Sequence, residues 1–110
     1  MENLIENKYA LIIAIEHYKD KHISDVRFAE NDAKELRNVF LSIGYKDENI
    51  FLLIDDDATK TLLEAGLKKI LKSITREEEL TIFYAGHGFT KNNHNYITSF
   101  DTVLSELEDT

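Results

Sequence analysis

Three short and predominantly apolar runs constrain the fold of this chain more than any other feature. They occupy residues 9–15, 50–54 and 80–85. A strand with one face in water alternates apolar and polar residues, whereas a strand covered on both faces is apolar almost throughout. The run at 9–15 is apolar at every position. We therefore expect it to be the central strand of a sheet that has helices on both sides.

Two amphipathic helices are predicted between these runs. The first apolar stripe steps by three or four residues through 29–43 and stops before Gly44, and Ser24 or Asp25 is its expected N-cap. The second stripe spans 62–74, where Thr61 and Glu64 have the spacing of a capping box. Strands that alternate with helices form parallel sheets with right-handed crossovers. The pattern thus predicts an α/β domain.

The expected architecture has three layers, α/β/α, with the parallel strand order 2-1-3. This order follows because the two helices cover opposite faces only if the chain reverses direction within the sheet. The switch point then lies between the first and third strands, where open α/β sheets bind their ligands. We expect that crevice to be lined by His87 and by polar residues after the first strand and at the start of the first helix, namely Glu16, His17, Glu30, Asn31 and Asp32.

Composition excludes several classes of function. The chain has 110 residues, which fit one domain, and a formal charge of −8. This charge argues against a nucleic acid or an anionic membrane as partner and favours a cationic partner. No apolar run reaches the roughly 18 residues of a membrane helix, and the first residues lack the basic region of a signal peptide, so we expect a cytoplasmic protein. Cysteine is absent, which excludes a cysteine nucleophile within these residues.

The third apolar run ends in His87, which lies between Gly86 and Gly88. Glycine allows a sharp turn and leaves space around the imidazole, and histidine is the side chain suited to proton transfer near neutral pH. We therefore expect a functional site here rather than a histidine that merely caps a turn.

Residues 89–95 are predicted to form a loop and 96–98 a short strand. Apolar sheet edges are normally covered, so we expect the sheet to be truncated before a fourth strand. We also expect the chain to cover the exposed edge of the third strand, either by self-association or with its own 94–104 segment.

Three segments carry a resemblance to a known family. They are Leu-Ile-Ile-Ala-Ile-Glu-His-Tyr at 11–18, Ala-Glu-Asn-Asp-Ala at 29–33 and Phe-Tyr-Ala-Gly-His-Gly at 83–88. Together they resemble the caspase-like cysteine peptidases, which include caspases, metacaspases and bacterial relatives. The chain is similar to the N-terminal, histidine-bearing part of one such domain, over residues 1–110.

The resemblance implies an endopeptidase in which His87 works with a cysteine, and the Gly88 N–H helps to form the oxyanion hole. In caspases the cysteine follows its histidine by about 50 residues, so the thiol would come from a C-terminal remainder and these residues alone would be inactive. In metacaspase-like members an acidic residue matching Asp32 binds Arg or Lys of the peptide substrate. Ala85 occupies a substrate-binding position where the family frequently has Ser.

Two alternatives stay open. Some metacaspases are activated by Ca²⁺ at acidic loops, and Asp55, Asp56 and Asp57 form such a run here. A solvated strand end that caps the next helix explains the same run, and no other cofactor is expected. The second alternative concerns activity, because a fold does not dictate chemistry. A non-catalytic pseudo-peptidase or protein-interaction module would use the same scaffold.

Overall fold

The computed structural model describes residues 8–105. The predicted domain also includes residues 1–7 and 106–110, which lie outside the described residues. The expectation that the first residues are not a signal peptide concerns part of this undescribed range. Within 8–105, no helix has both the length and the apolar character that crossing a membrane requires.

The core of the fold is a parallel sheet of three strands. β1 spans Lys8–Ala14, β2 spans Ile50–Ile54 and β3 spans Glu79–Ala85. β1 is central and pairs with both neighbours in parallel, which gives the order β2-β1-β3. The order 2-1-3 expected from the sequence is confirmed. The apolar run at 9–15 is explained by the burial of β1 on both faces.

Two helices cover opposite faces of this sheet. α1 spans Ala29–Ser42 and α2 spans Lys60–Ser73. Residues Ala10, Ile12 and Ala14 of β1 share a core cluster with α1, whereas Leu11 and Ile13 share a second cluster with Ile70 of α2. Because alternate residues of a strand point to opposite faces, these clusters lie on opposite sides of β1. The three-layer arrangement is thereby confirmed.

Both helices have N-cap residues other than those the sequence indicated, although α1 begins at Ala29 as predicted. The N-cap of α1 is Phe28, in a left-handed conformation with φ of 67° and without a side-chain cap. The residues expected to cap α1, Ser24 and Asp25, instead contact His87 and His17. α2 begins after Thr59, whose hydroxyl accepts a hydrogen bond from Leu62 N at 3.2 Å. The predicted Thr61–Glu64 capping box is therefore wrong by two residues, because the helix starts earlier.

Residues 89–95 are not the loop that their polarity suggested. They belong to an antiparallel hairpin in which β4 spans Gly88–Lys91 and β5 spans His94–Ile97. Asn92 and Asn93 both have positive φ, 52° and 65°, as the tight type I′ turn of a two-residue hairpin requires. The Phe89 and Tyr96 rings stack across the pair at 5.0 Å. Thr98, expected at the end of the short strand, lies just beyond β5.

After the hairpin the chain returns across the carboxyl ends of the strands. We call this irregular segment, residues 98–102, the strap. Its Phe100 N–H donates to Ala58 O at 2.9 Å, and Phe100 O accepts from Lys19 N at 3.1 Å. Lys19 follows β1 and Ala58 precedes α2, so the strap joins the exit of the central strand to the entrance of the second helix.

The outer edge of β3 has no partner strand among residues 8–105. Ile82 on this strand is 53 % exposed. Beside it lies an apolar cleft of about 400 Å³ between α2 and the hairpin, lined in part by Leu63, Leu67, Phe89 and Ile97. Thr98 also lines this cleft, and its carbonyl oxygen accepts a hydrogen bond from the Tyr84 hydroxyl near the end of β3.

Candidate functional site

His87 lies two residues beyond β3, at the carboxyl edge of the sheet where the sequence placed it. Gly86 fits between two tyrosine hydroxyls. A Cβ at this position would lie 2.5 Å from Tyr84 Oη and 2.9 Å from Tyr18 Oη. The chain reaches His87 in this geometry because residue 86 has no side chain.

The imidazole of His87 is oriented by the loop that precedes α1. Its Nε2 lies 2.8 Å from Ser24 O and 3.3 Å from Ser24 Oγ. A carbonyl oxygen only accepts hydrogen bonds, so Nε2 carries the proton and the neutral ring keeps Nδ1 as its basic nitrogen. The Tyr18 ring lies 5.6 Å from the imidazole at an angle of 35°. The contact with Ser24 O therefore favours the tautomer with the proton on Nε2, which leaves Nδ1 as the nitrogen able to accept a proton.

Buried hydroxyls hold the backbone of the same residue. His87 N–H donates to Tyr18 Oη at 2.8 Å, Tyr18 Oη and Thr98 Oγ1 are 2.7 Å apart, and Thr98 Oγ1 donates to His87 O at 2.7 Å. We call this closed set of three hydrogen bonds the hydroxyl ring. Tyr84 adds a further bond from its hydroxyl to Thr98 O at 2.8 Å. Burial raises the pKa of Tyr84, which keeps that hydroxyl protonated as a donor.

A cleft of about 270 Å³ opens beside His87. Gly88 lines it, together with residues of the Ser24 loop and Thr98. Thr98 N donates to His87 O at 3.1 Å, which continues the hairpin ladder by one pair. The alternation of an antiparallel ladder then makes Gly88 and Ile97 a non-hydrogen-bonded pair, so the Gly88 N–H points away from β5. This amide is placed to donate to a group in solvent.

The single crevice expected from the sequence is divided into two clefts. Glu16, His17, Glu30 and Asn31 line a second cleft of about 380 Å³, which does not include His87. The loop before α1 lies between them, because Ser24 contacts His87 whereas the next residue, Asp25, contacts His17. The structure thus separates His87 from the acidic residues that follow β1.

In the second cleft, the His17 imidazole lies between two carboxylates. Its Nδ1 lies 3.1 Å from Asp25 Oδ2 and its Nε2 lies 3.4 Å from Glu16 Oε2. The hydrogen bond to Asp25, and then the charge of that carboxylate, raise the pKa of His17 above its ordinary value. Through these contacts His17 joins the end of β1 to the loop before α1.

Asp32 and Ala85, the proposed substrate-binding residues, lie apart from the His87 cleft. Asp32 is exposed in the first turn of α1, its N–H donates to Phe28 O at 2.9 Å, and it lines neither of the two clefts. Ala85 ends β3 and packs against the core cluster on the α1 side. Its carbonyl accepts from Ile15 N at 2.8 Å.

The run Asp55–Asp57 forms a short 3-10 turn after β2. Asp55 Oδ1 accepts from the backbone N–H groups of Glu16 and His17, at 2.8 and 3.2 Å. Asp55 thus fixes the end of β1, and the cap of α2 is Thr59 rather than this run. Across residues 8–105, no group of three or more histidine and carboxylate side chains is arranged to hold a metal ion.

Sequence reasoning missed three residues that contact His87. Ser24 acts through its main-chain carbonyl, which leaves no mark in the amino-acid pattern. In the sequence Tyr18 is part of a segment that resembles the family, and Thr98 lies at the end of a predicted short strand; neither position indicates a contact with His87. Tyr18 and Thr98 are separated by 80 positions in the sequence, so only the folded chain brings them together.

The comparison with family models agrees with the segments singled out above. The model of the caspase domain matches residues 7–110 of this chain. A separate comparison with curated proteins finds no match. The matched range contains the sheet, both clefts and the hydroxyl ring.

Proposed function

This chain belongs to the caspase domain family of peptidases, and from that premise we propose that it carries the histidine part of a cysteine endopeptidase site. The hydrogen bond between His87 Nε2 and Ser24 O carries the proposal, because it leaves Nδ1 as the base. His87 Nδ1 takes the proton of a cysteine thiol, and the thiolate attacks the peptide carbonyl carbon. The same nitrogen then protonates the leaving amine, and water hydrolyses the thioester.

The Gly88 N–H is the proposed donor to the oxyanion of this reaction. Support comes from its position next to His87 and from the ladder alternation that directs it away from β5. A backbone amide of this kind stabilises the charge that develops on the carbonyl oxygen in the transition state. Removing a single such donor typically costs about 10²–10³ in kcat.

The thiol is proposed to come from polypeptide outside residues 1–110, because these residues contain no cysteine. On this proposal the 110-residue chain binds or orients groups through His87 but does not turn over peptides. The competing proposal is a non-catalytic interaction module. The absence of a cysteine from residues 1–110 is compatible with both proposals. Activity of the polypeptide that carries both His87 and a thiol distinguishes the two.

The test uses that thiol-bearing polypeptide with fluorogenic peptides ending in Arg, Lys or Asp. We expect His87→Ala to lower kcat by about 10²–10⁴, the range for loss of a general acid–base group. His94→Ala is the matched control, because His94 is exposed on β5, and it should leave kcat unchanged. Unaltered cleavage by His87→Ala, or turnover by the 110-residue chain alone, would refute the assignment.

Cleavage after Arg or Lys is proposed from the family resemblance of Asp32 and from the acidic balance of the chain, −8 overall. A carboxylate that pairs with a guanidinium gives a strong, directional contact. Asp32→Ala should weaken cleavage after Arg and Lys while a small alkylating agent still modifies the thiol at the same rate. Glu35→Ala, on the exposed side of α1, is the control. If Asp32→Ala lowers only thermal stability and the basic preference persists, Asp32 is a structural residue of the helix.

A further inference from the structure

The hydroxyl ring has a defined direction. His87 O is a carbonyl oxygen and only accepts, so Thr98 Oγ1 must donate to it. Thr98 has one hydroxyl proton, which is then used, so the Tyr18 hydroxyl donates to Thr98 Oγ1. The Tyr18 oxygen in turn accepts from His87 N–H. The three bonds run head to tail from the amide of one residue back to its own carbonyl.

The ring acts at a residue with flexible neighbours, and it adds to the bonds that His87 O accepts from Thr98 N and from the Tyr84 hydroxyl, both at 3.1 Å. Glycines flank His87 on both sides, and glycine has the greatest conformational freedom of any residue. The two side chains of the ring come from buried positions, since Tyr18 is 1 % and Thr98 4 % exposed. Hydrogen bonds in such surroundings are stronger than in water and reinforce one another along a chain. They restrict the peptide planes on both sides of His87.

We propose that Tyr18 and Thr98 are positioning residues for His87, and that the hydroxyl ring fixes the direction in which its imidazole leaves the backbone. Neither side chain reacts. Their effect reaches the chemistry through the backbone, which sets whether Nε2 meets Ser24 O and hence which ring nitrogen is the base. The strap thereby becomes part of the histidine site, because Thr98 is its first residue. The consequence for cleavage rests on the proposed function, whereas the consequence for the imidazole does not.

The first experiment uses the 110-residue chain and needs no activity. Long-range ¹H–¹⁵N spectra report which nitrogen of His87 carries the proton. We expect the Nε2–H tautomer in the unmodified chain and a mixture of tautomers in Thr98→Val, which keeps the shape of threonine without its hydroxyl. Thr98→Ser should restore the single tautomer, and Tyr18→Phe should behave as Thr98→Val. Thr90→Val is the control, because the Thr90 hydroxyl bonds Asn95 on the hairpin and not His87.

The second experiment measures kinetics in the thiol-bearing polypeptide. Thr98→Val and Tyr18→Phe should lower kcat by about 10²-fold, the size of effect that follows from misplacing a catalytic group by an ångström, with KM unchanged. Thr98→Ser should recover kcat. A merely structural role predicts lower thermal stability with the same tautomer and the same kcat.

The outcomes separate the two proposals. A single unchanged tautomer in both Thr98→Val and Tyr18→Phe overturns the positioning role, whatever the kinetics show. If Thr98→Val does not fold, Tyr18→Phe and Thr98→Ser decide by the same spectra. A loss of the single tautomer, in a thiol-bearing polypeptide that cleaves no peptide, supports the positioning role and refutes the proposed function.

Discussion

Gly86→Ala and Gly66→Ala are the same chemical change at two positions, and the structure predicts opposite effects on stability. At Gly66, in α2, the nearest atom to an added Cβ is Leu53 Cδ1 at 3.9 Å, an ordinary contact. Alanine is the better helix former, so Gly66→Ala should stabilise the chain by about 0.8–1.0 kcal/mol.

At Gly86 an added Cβ meets Tyr84 Oη at 2.5 Å, Tyr84 Cζ at 2.7 Å and Tyr18 Oη at 2.9 Å. The Tyr18 ring is 1 % exposed and has no space into which to swing. Overpacking of this kind costs about 1–3 kcal/mol, and each hydrogen bond lost from His87 adds about 0.5–1.5 kcal/mol. We therefore expect Gly86→Ala to destabilise the chain by about 2–4 kcal/mol.

Urea unfolding of the 110-residue chain, followed by circular dichroism, measures both variants against the unmodified chain. The midpoints should move in opposite directions with similar m-values, because the folded structure outside the two positions is retained. A stability of Gly86→Ala within about 0.5 kcal/mol of the unmodified chain, the range of an unconstrained surface change, would refute the clash at Gly86. A shift of both midpoints in the same direction would refute it as well.

Two further predictions concern capping and pH. Thr59→Ala should lower the stability of the chain by about 1 kcal/mol in urea unfolding, because it removes the cap of α2. Thr61→Ala should change the stability little. A larger effect at Thr61 than at Thr59 would favour the Thr61–Glu64 capping box instead. Because the folded-state pKa of His17 is raised, its contribution to stability is full below its ordinary pKa of about 6.5 and is lost as pH rises through the higher folded value. Asp25→Asn should lower the pKa of His17 in NMR titrations. It should also reduce the loss of melting temperature that the unmodified chain shows as pH rises through the folded-state pKa of His17. An unchanged His17 titration would refute the pairing.

The sheet was predictable because its signal is continuous along the chain. The predicted strand 50–54 coincides with β2, and the run 9–15 differs from β1 by one residue at each end. The helix predicted at 29–43 ends one residue later than α1, and the one at 62–74 is displaced from α2 by one or two residues. Apolar residues at strand or helix spacing indicate which side of an element is buried. Burial of these sides determines where the strands and helices form.

The hairpin and most of the site were not predictable in this way. β4 and β5 expose most of their residues, so their sequence lacks an apolar alternation, and two asparagines were the local sign of the turn. His87 was found because two glycines mark it. Its partners were not, since one is a backbone carbonyl and the others are distant hydroxyls whose roles exist only after folding.

The hydroxyl ring also bears on the order in which the chain folds. Tyr18 and Thr98 are 80 residues apart, and closing a loop of that length carries an entropic cost that local contacts do not. Pairing of β1 with β3 shortens the effective separation, because it brings residues 14 and 85 side by side. The ring is therefore expected to close after the sheet has formed, so the orientation of His87 is among the last features acquired during folding. Hydrogen exchange at the His87 amide, which donates to Tyr18, would then report completion of folding at the site itself.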